Sequence, residues 1–248
     1  MGNAIRWLKL EISKVDVDVP DSEAKKSLCD AIDVFIRERV TASDQLIASS
    51  AADKIKDGDV ILTYAKSSVV QRALVKAHED GKTFQVIVVD SRPLQEGLHL
   101  ATSLKGLGVE VKYCFMNGLV HNIKDATKVF LGAHAMMSNG RLFSRVGTAV
   151  VAMEAKVADI PVLVLCETVK FTERVALDSI VHNEVAPPDE LVIPGGPLEN
   201  WRKVKGLQLL NLMYDVTPAE YIHIVITEHG SVPPTSVPTL NRSINENE

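Results

Sequence analysis

A chain of 248 residues with 46% hydrophobic side chains can bury a full α/β core. Its 27 Lys plus Arg against 32 Asp plus Glu leave a net charge of -5, so no global basic field draws it to nucleic acid or anionic lipid, and no local basic patch stands out in its place. No apolar run reaches the roughly 18–20 residues that span a bilayer, and the scattered Cys29, Cys114 and Cys166 argue against a disulfide framework or zinc site and suit a reducing cytosol.

Residues 3–52 read as helices. Ile5, Leu8 and Ile12 share one face, and Leu28, Ile32, Phe35, Ile36 and Val40 repeat near 3.6 residues, with Pro20-Asp21-Ser22 as break and N-cap. The back of this region carries Lys25, Lys26, Arg37, Glu38 and Arg39, so the apolar stripe needs a partner surface, within the core or on another protein.

From Asp57-Gly58-Asp59 onward the texture changes to short β-branched runs at Val60–Tyr64, Phe84–Asp90, Glu110–Phe115, Lys128–Leu131, Pro161–Cys166 and Ile222–Thr227. Continuous hydrophobicity suits strands buried on both faces of a parallel sheet. Helical spacing between them at Val69–Glu79, Leu94–Leu107 and Arg145–Asp159 predicts an α/β fold, a Rossmann-like open sheet preceded by a helical segment. Residues 183–201 read as a turn-rich surface loop, Leu207–Leu210, Leu212 and Tyr214–Pro218 as a return to the core, and 241–248 as a flexible tail. The expected domains are therefore 1–55 helical and 56–240 Rossmann-like.

A dinucleotide site would require G-x-G-x-x-G after the first strand, where the sequence has Tyr64-Ala65-Lys66-Ser67-Ser68; Asp90 only superficially resembles a ribose-binding acid. Ser67 and Ser68 still offer hydroxyls and amides to an anion. There is no nucleophile elbow and no distinctive carboxylate pair, so neither a catalytic set, a metal site nor a cofactor is expected. His134, after a strand, reads as a structural residue or an acid-base group. The helix opening at Arg145-Val146-Gly147-Thr148, after Asn139-Gly140-Arg141, reads as a phosphate cradle or as close helix packing with Arg145 paired to an acid.

The runs Asp57–Leu62, Val88-Val89-Asp90-Ser91-Arg92-Pro93, Leu131–Ala135, Ser144–Ala149, Cys166–Phe171 and Tyr214–Pro218 resemble a superfamily that joins methylthioribose-1-phosphate isomerases to the regulatory subunits of eukaryotic translation initiation factor 2B. Met1–Ile5 and Leu209–Pro218 are similar, more narrowly, to its delta branch. That resemblance implies a non-catalytic, cytoplasmic regulatory subunit of the guanine-nucleotide exchange factor for initiation factor 2. The implied partners are the beta subunit, the remaining exchange-factor subunits and the phosphorylated alpha subunit of initiation factor 2; no direct contact with nucleic acid or membrane is implied. Delta subunits carry a long polar N-terminal extension, so part of the helical domain is expected to be missing here.

The isomerases of this superfamily place a cysteine after the first strand and an aspartate in Gly-Ala-Asp. Ala65 and His134 stand in those places, and Asn139-Gly140-Arg141 and Ser144-Arg145 replace Asn-Gly-Asp and Asn-Lys. The resemblance thus implies a lost reaction with a vestigial pocket for a sugar phosphate or other anion at Ser67, Ser68, Arg92, Asn139, Arg145, Gly147 and Thr148. Arg37 and Arg39 are the expected contacts for the phosphoprotein, and an apolar set from Leu207 to Ile226 is expected to dimerise. A retained isomerase and a metabolite-binding scaffold are the competing readings.

Overall fold

The computed structural model describes residues 2–181 and 183–246. Three helices open it: α1 (Gly2–Lys14), α2 (Asp21–Phe35) and α3 (Ser43–Ala52), with a π-helical stretch, Ile36–Ala42, running unbroken from α2 into α3. Trp7 of α1 stacks on Phe35 of α2 with ring centroids 4.4 Å apart, which closes the two into an arm. The wider winding of 36–42 is not contained in a 3.6-residue reading, and Ile36, expected on the apolar stripe, is 48% exposed.

Then follow β1 (Val60–Tyr64), α4 (Ser68–Glu79), β2 (Gln85–Asp90), α5 (Glu96–Gly106), β3 (Glu110–Phe115), a single turn α6 (Leu119–Asn122) and β4 (Lys128–Gly132). Next come β5 (Ala135–Met136), β6 (Leu142–Arg145), α7 (Thr148–Val157), β7 (Val162–Leu165), β8 (Tyr214–Thr217), β9 (Ile224–Thr227), β10 (Gly230–Val232) and α8 (Val237–Glu246). Seven strands form one sheet in the order β10-β9-β7-β4-β1-β2-β3, parallel except for the β10 edge. This is the Rossmann-like open sheet that the sequence predicts.

Alternation divides the strand residues between two cores. Ile61, Val86, Val88, Phe130 and Leu165 meet α4 and α5 on one face, and Leu62, Ile87, Val89, Leu131 and Val164 meet α7 on the other. Because both faces are covered, the strands carry apolar residues at nearly every position. The chain winds outward from β1 through β2 to β3 and then returns to place β4 on the other flank of β1. At such a switch point two strand ends diverge and leave a crevice at the carboxyl edge.

Several expectations change. Helix α3 is buried in the same core as α4, with Ile47, Ala51 and Ala52 fully enclosed, so the arm as a physical unit stops at the π stretch and not at residue 55. Each such side chain contributes on the order of 1.5–3 kcal/mol when large and aliphatic. The stretch expected as one helix from Arg145 is split: Leu142–Arg145 is a strand of a second, antiparallel sheet, β5-β6-β8, and α7 starts only at Thr148. Residues 241–246, expected in a tail, belong to α8, because Val237, Leu240 and Asn241 share one face and Val237 and Asn241 are buried; residues 247 and 248 lie outside the described residues. Of the expected dimerising set, Ile222 and Ile226 are core residues, while Leu207 and Leu210 face solvent.

Candidate functional site

The turn after β1 and the end of β4 border a depression of about 200 Å³, lined by Lys66, Ser67, Ser68, His134, Arg145 and Lys170 among others. Gly132 permits this approach: a Cβ there would sit 2.3 Å from Ser67 Oγ. Ser67 is the N-cap of α4 in extended conformation and makes no side-chain bond to the first turn of its own helix. The hydroxyl and the positive end of α4 therefore face the depression with two lysines beside them.

Four of the expected anion residues, Ser67, Ser68, Arg145 and Thr148, come together here; Gly147 sits just behind them, at the start of α7. Their availability differs from the expectation. The start of α7 is already occupied, because Asp215 Oδ2 accepts from the backbone N–H of Gly147 at 2.7 Å and of Ala149 at 3.0 Å. Thr148 Oγ1 donates to the Arg145 carbonyl at 2.6 Å. The Arg145 guanidinium donates through Nε and Nη2 to Glu96, both at 2.9 Å, and lies 5.9 Å over the Tyr214 ring. An arginine held in two parallel bonds has little charge left for a ligand. The alternative reading of this segment, close packing with Arg145 on an acid, is the one observed: Gly147 has φ +104° and its missing Cβ would lie 2.4 Å from Tyr64 Oη. Burial pushes Asp215 up to about 6, against the pull of its two amide donors.

Two expected residues fall elsewhere. Asn139 is in the β5–β6 turn, where its Nδ2 donates to the Ala176 carbonyl at 2.9 Å and pins the 174–177 segment. Arg92 is exposed, its guanidinium 5.7 Å over the Phe115 ring, and it lines an adjoining cleft of about 30 Å³ together with Ala65, Ser91, Asn211 and Arg145, which borders both hollows. Asp90, at the end of β2, accepts from the Leu98 amide and the Tyr113 hydroxyl, both at 3.0 Å, and so serves the start of α5. The lysines were the missed residues. Lys66 stood in the quoted turn, whereas Lys170 reaches the depression from the turn after β7, a proximity no local pattern carries.

Proton-transfer groups are scarce. Ala65 is a buried methyl at φ +52°. The His134 ring, although exposed, packs on one side at 4.7 Å from Tyr214 and 5.7 Å from Phe143, and partial desolvation there lowers its pKa despite nearby Glu184. Burial raises Tyr64 to about 12, and its hydroxyl is committed to the Val146 carbonyl at 2.5 Å. The arrangement can hold an anion at α4; among the described residues it offers no acid-base pair across it. Arg37 and Arg39 lie on the π stretch of the arm: Arg37 is exposed, and half-buried Arg39 lines a groove with Trp7, Phe35 and Glu228.

Comparison with known proteins places these features in context. Residues 1–234 match the Initiation factor 2 subunit family. The chain is 48% identical over 248 residues to the Translation initiation factor eIF2B subunit delta of Schizosaccharomyces pombe, covering 97% of this chain and 53% of that protein. It thus spans about half the length of that relative. It is also 34% identical to the Ribose 1,5-bisphosphate isomerase of Pyrococcus furiosus, over 94% of this chain and 71% of the enzyme. Among solved structures it is similar to a chain of the tetrameric eIF2B-beta2-delta2 complex from C. thermophilum, with TM-score 0.81 and 39% identity over 92% of this chain and 69% of that one.

Proposed function

The chain belongs to the initiation factor 2 subunit family, and on that premise we propose that it acts as a non-catalytic regulatory subunit of the exchange factor for translation initiation factor 2. The observation that carries this reading is Ala65. The turn after β1, beside the crevice at the switch point, presents a methyl group where chemistry on a bound sugar would need a thiol or carboxylate, and among the described residues the His134 ring has aromatic neighbours and no side-chain hydrogen bond to relay a proton. Similarity to delta subunits supports the same conclusion more strongly than the weaker likeness to isomerases.

Its partners are then the beta subunit and the rest of the exchange factor in the cytoplasm, together with the phosphorylated alpha subunit of initiation factor 2. Apolar side chains exposed along 177–210 supply the material for a subunit interface: Leu177, Ile180 and Val181 are each more than 70% exposed, with Leu210 close behind. The arm ending at the π stretch, with Arg37 exposed, is the surface for the phosphoprotein. The depression at α4 is retained as a weak site for a sugar phosphate or similar anion through Lys66, Ser67, Ser68 and Lys170.

Co-expression with a beta subunit followed by sizing tests the assembly, and a coupled isomerase assay tests the chemistry. A stable hetero-oligomer with turnover of ribose-1,5-bisphosphate at background is the expected result. Turnover that vanishes in His134→Ala, or a beta subunit that never associates with the folded chain, overturns the reading.

A further inference from the structure

The seam between α3 and the turn after β7 buries two carboxyl groups against each other. Asp44, in the first turn of α3, and Glu167, two residues beyond the end of β7, are 4% and 3% exposed. They lie within hydrogen-bonding reach of each other. Asp44 Oδ1 is buried and accepts no donor among the described residues. Two facing carboxylates in that position repel, and an acceptor without a donor is costly; a single shared proton removes both faults.

We propose that Asp44 and Glu167 share one proton and so form a pH-sensitive latch that seats α3, and through it the helical arm, on the α/β core.

Among the described residues a cation stands at the outer side of each carboxyl group, which leaves the contact between the two carboxyl groups as the place for a proton. From α4, Arg72 contacts Asp44; from the turn itself, Lys170 Nζ lies 2.6 Å from Glu167 Oε2. The thiol of Cys166, buried and neutral, adjoins on the strand side. From the β9–β10 turn, Glu228 is occupied by the Thr168 amide and hydroxyl, with Arg39 of the arm lining the same groove. Burial first, and then Glu167, holds Asp44 up at about 6. Burial would raise Glu167 as well, but the hydrogen bond from Asp44 and the Lys170 charge outweigh it and keep it below its ordinary value. The proton therefore resides on Asp44. A carboxyl group raised on folding favours the folded seat below its folded pKa, and that contribution is lost as pH rises through about 6. Acidification from neutral pH tightens the latch.

Hydrogen exchange of the Ile47–Ala52 amides in the full-length protein, corrected for the intrinsic pH dependence of exchange, reads the seat directly. Protection is expected to fall by about fourfold between about pH 5.5 and 7.5. Asp44→Asn and Glu167→Gln each supply the missing N–H donor without a proton, and either variant should be flat across that range. Should both variants fail to fold, the infrared carbonyl band of a protonated carboxyl group, read in an Asp215→Asn background because Asp215 is also raised to about 6, should be present at pH 5.5 and fade towards 7.5. Protection independent of pH in the unmodified protein, a slope that survives in a folded variant, or absence of that band overturns the proposal.

Discussion

Three helices begin near the carboxyl ends of β1 and β2, and the chain treats them in two ways. Helices α5 and α7 receive an internal carboxylate at their first turns, Asp90 from β2 and Asp215 from β8. Helix α4 receives none among the described residues, and its N-cap Ser67 faces the 200 Å³ depression instead. The positive end of a helix attracts whichever anion is nearest. Where the fold supplies that anion the site is structural, and where it does not the site is open to solutes. Segments of similar composition thus differ in whether their first turn is capped, because of a side chain contributed from elsewhere in the chain.

The capped pair should break first when its caps are removed. Asp215→Ala strips two interior amides of their acceptor, and the expected loss is roughly 2–4 kcal/mol in chemical denaturation. Asp215→Asn, which keeps one carbonyl oxygen for those amides, should lose clearly less. Equal losses would show that charge, and not acceptance, holds α7. Gly97→Ala attacks the α5 cap by volume: its Cβ would fall 2.7 Å from Asp90 Cγ, so the carboxylate must leave its seat. The expected cost is about 1–3 kcal/mol by the same measurement. An unchanged stability would mean that Asp90 is not needed at the start of α5.

This contrast was only half legible in the sequence. Glycine in Arg145-Val146-Gly147-Thr148 correctly marked a helix start, but a phosphate and the Asp215 carboxylate impose the same local demand, and Asp215 lies 66 residues from Ala149. The strands of the large sheet were readable because burial on both faces leaves continuous apolar runs. The small sheet was not: β5 has two residues and β6 four, and β6 pairs with β8 at Leu142↔Thr217, far along the chain. Asn139 was misplaced for a related reason, since a polar turn residue reads alike whether it meets a ligand or, as here, a backbone carbonyl. Lys170 is drawn to the depression by the turn after β7 and carries no local mark of that position.

A pH titration sharpens the comparison at smaller amplitude. Asp215 is raised to about 6 by burial, so between its ordinary value of 3.8 and about 6 the folded chain holds a proton that the unfolded chain has released. Its contribution to stability is present at low pH and is lost as pH rises through about 6. Asp59 works in the opposite sense. Burial would raise it, but bonds from Lys128 at 2.5 Å, Lys56 and Thr127 prevail, so its contribution is lost on acidification below its ordinary value. The unfolding free energy should therefore decline from about pH 5 towards 7.5, and Asp215→Asn should flatten the part of that decline that Asp44 does not carry. A decline of unchanged steepness in the variant would remove Asp215 from the titrating set.

The smallest expected effect is the one that tests the open helix. Inorganic phosphate should bind at α4 with an affinity on the order of millimolar, because Lys66 is exposed and Lys170 is shared with Glu167, leaving the amides and hydroxyls of Ser67 and Ser68 to do much of the holding. Amide chemical shifts separate the three helix starts in one titration. Resonances of Ser68–Val70 should move with phosphate, while those of Gly147, Ala149 and Leu98 should stay, since their N–H groups are already bonded to carboxylates. Lys66→Ala should weaken the response a few-fold and leave stability unchanged, because an exposed lysine contributes little to the fold. Movement at Gly147 and Ala149 in place of Ser68–Val70 would mean that phosphate displaces Asp215, and the distinction between a helix the fold has closed and one it has left open would fail at the point where it was drawn.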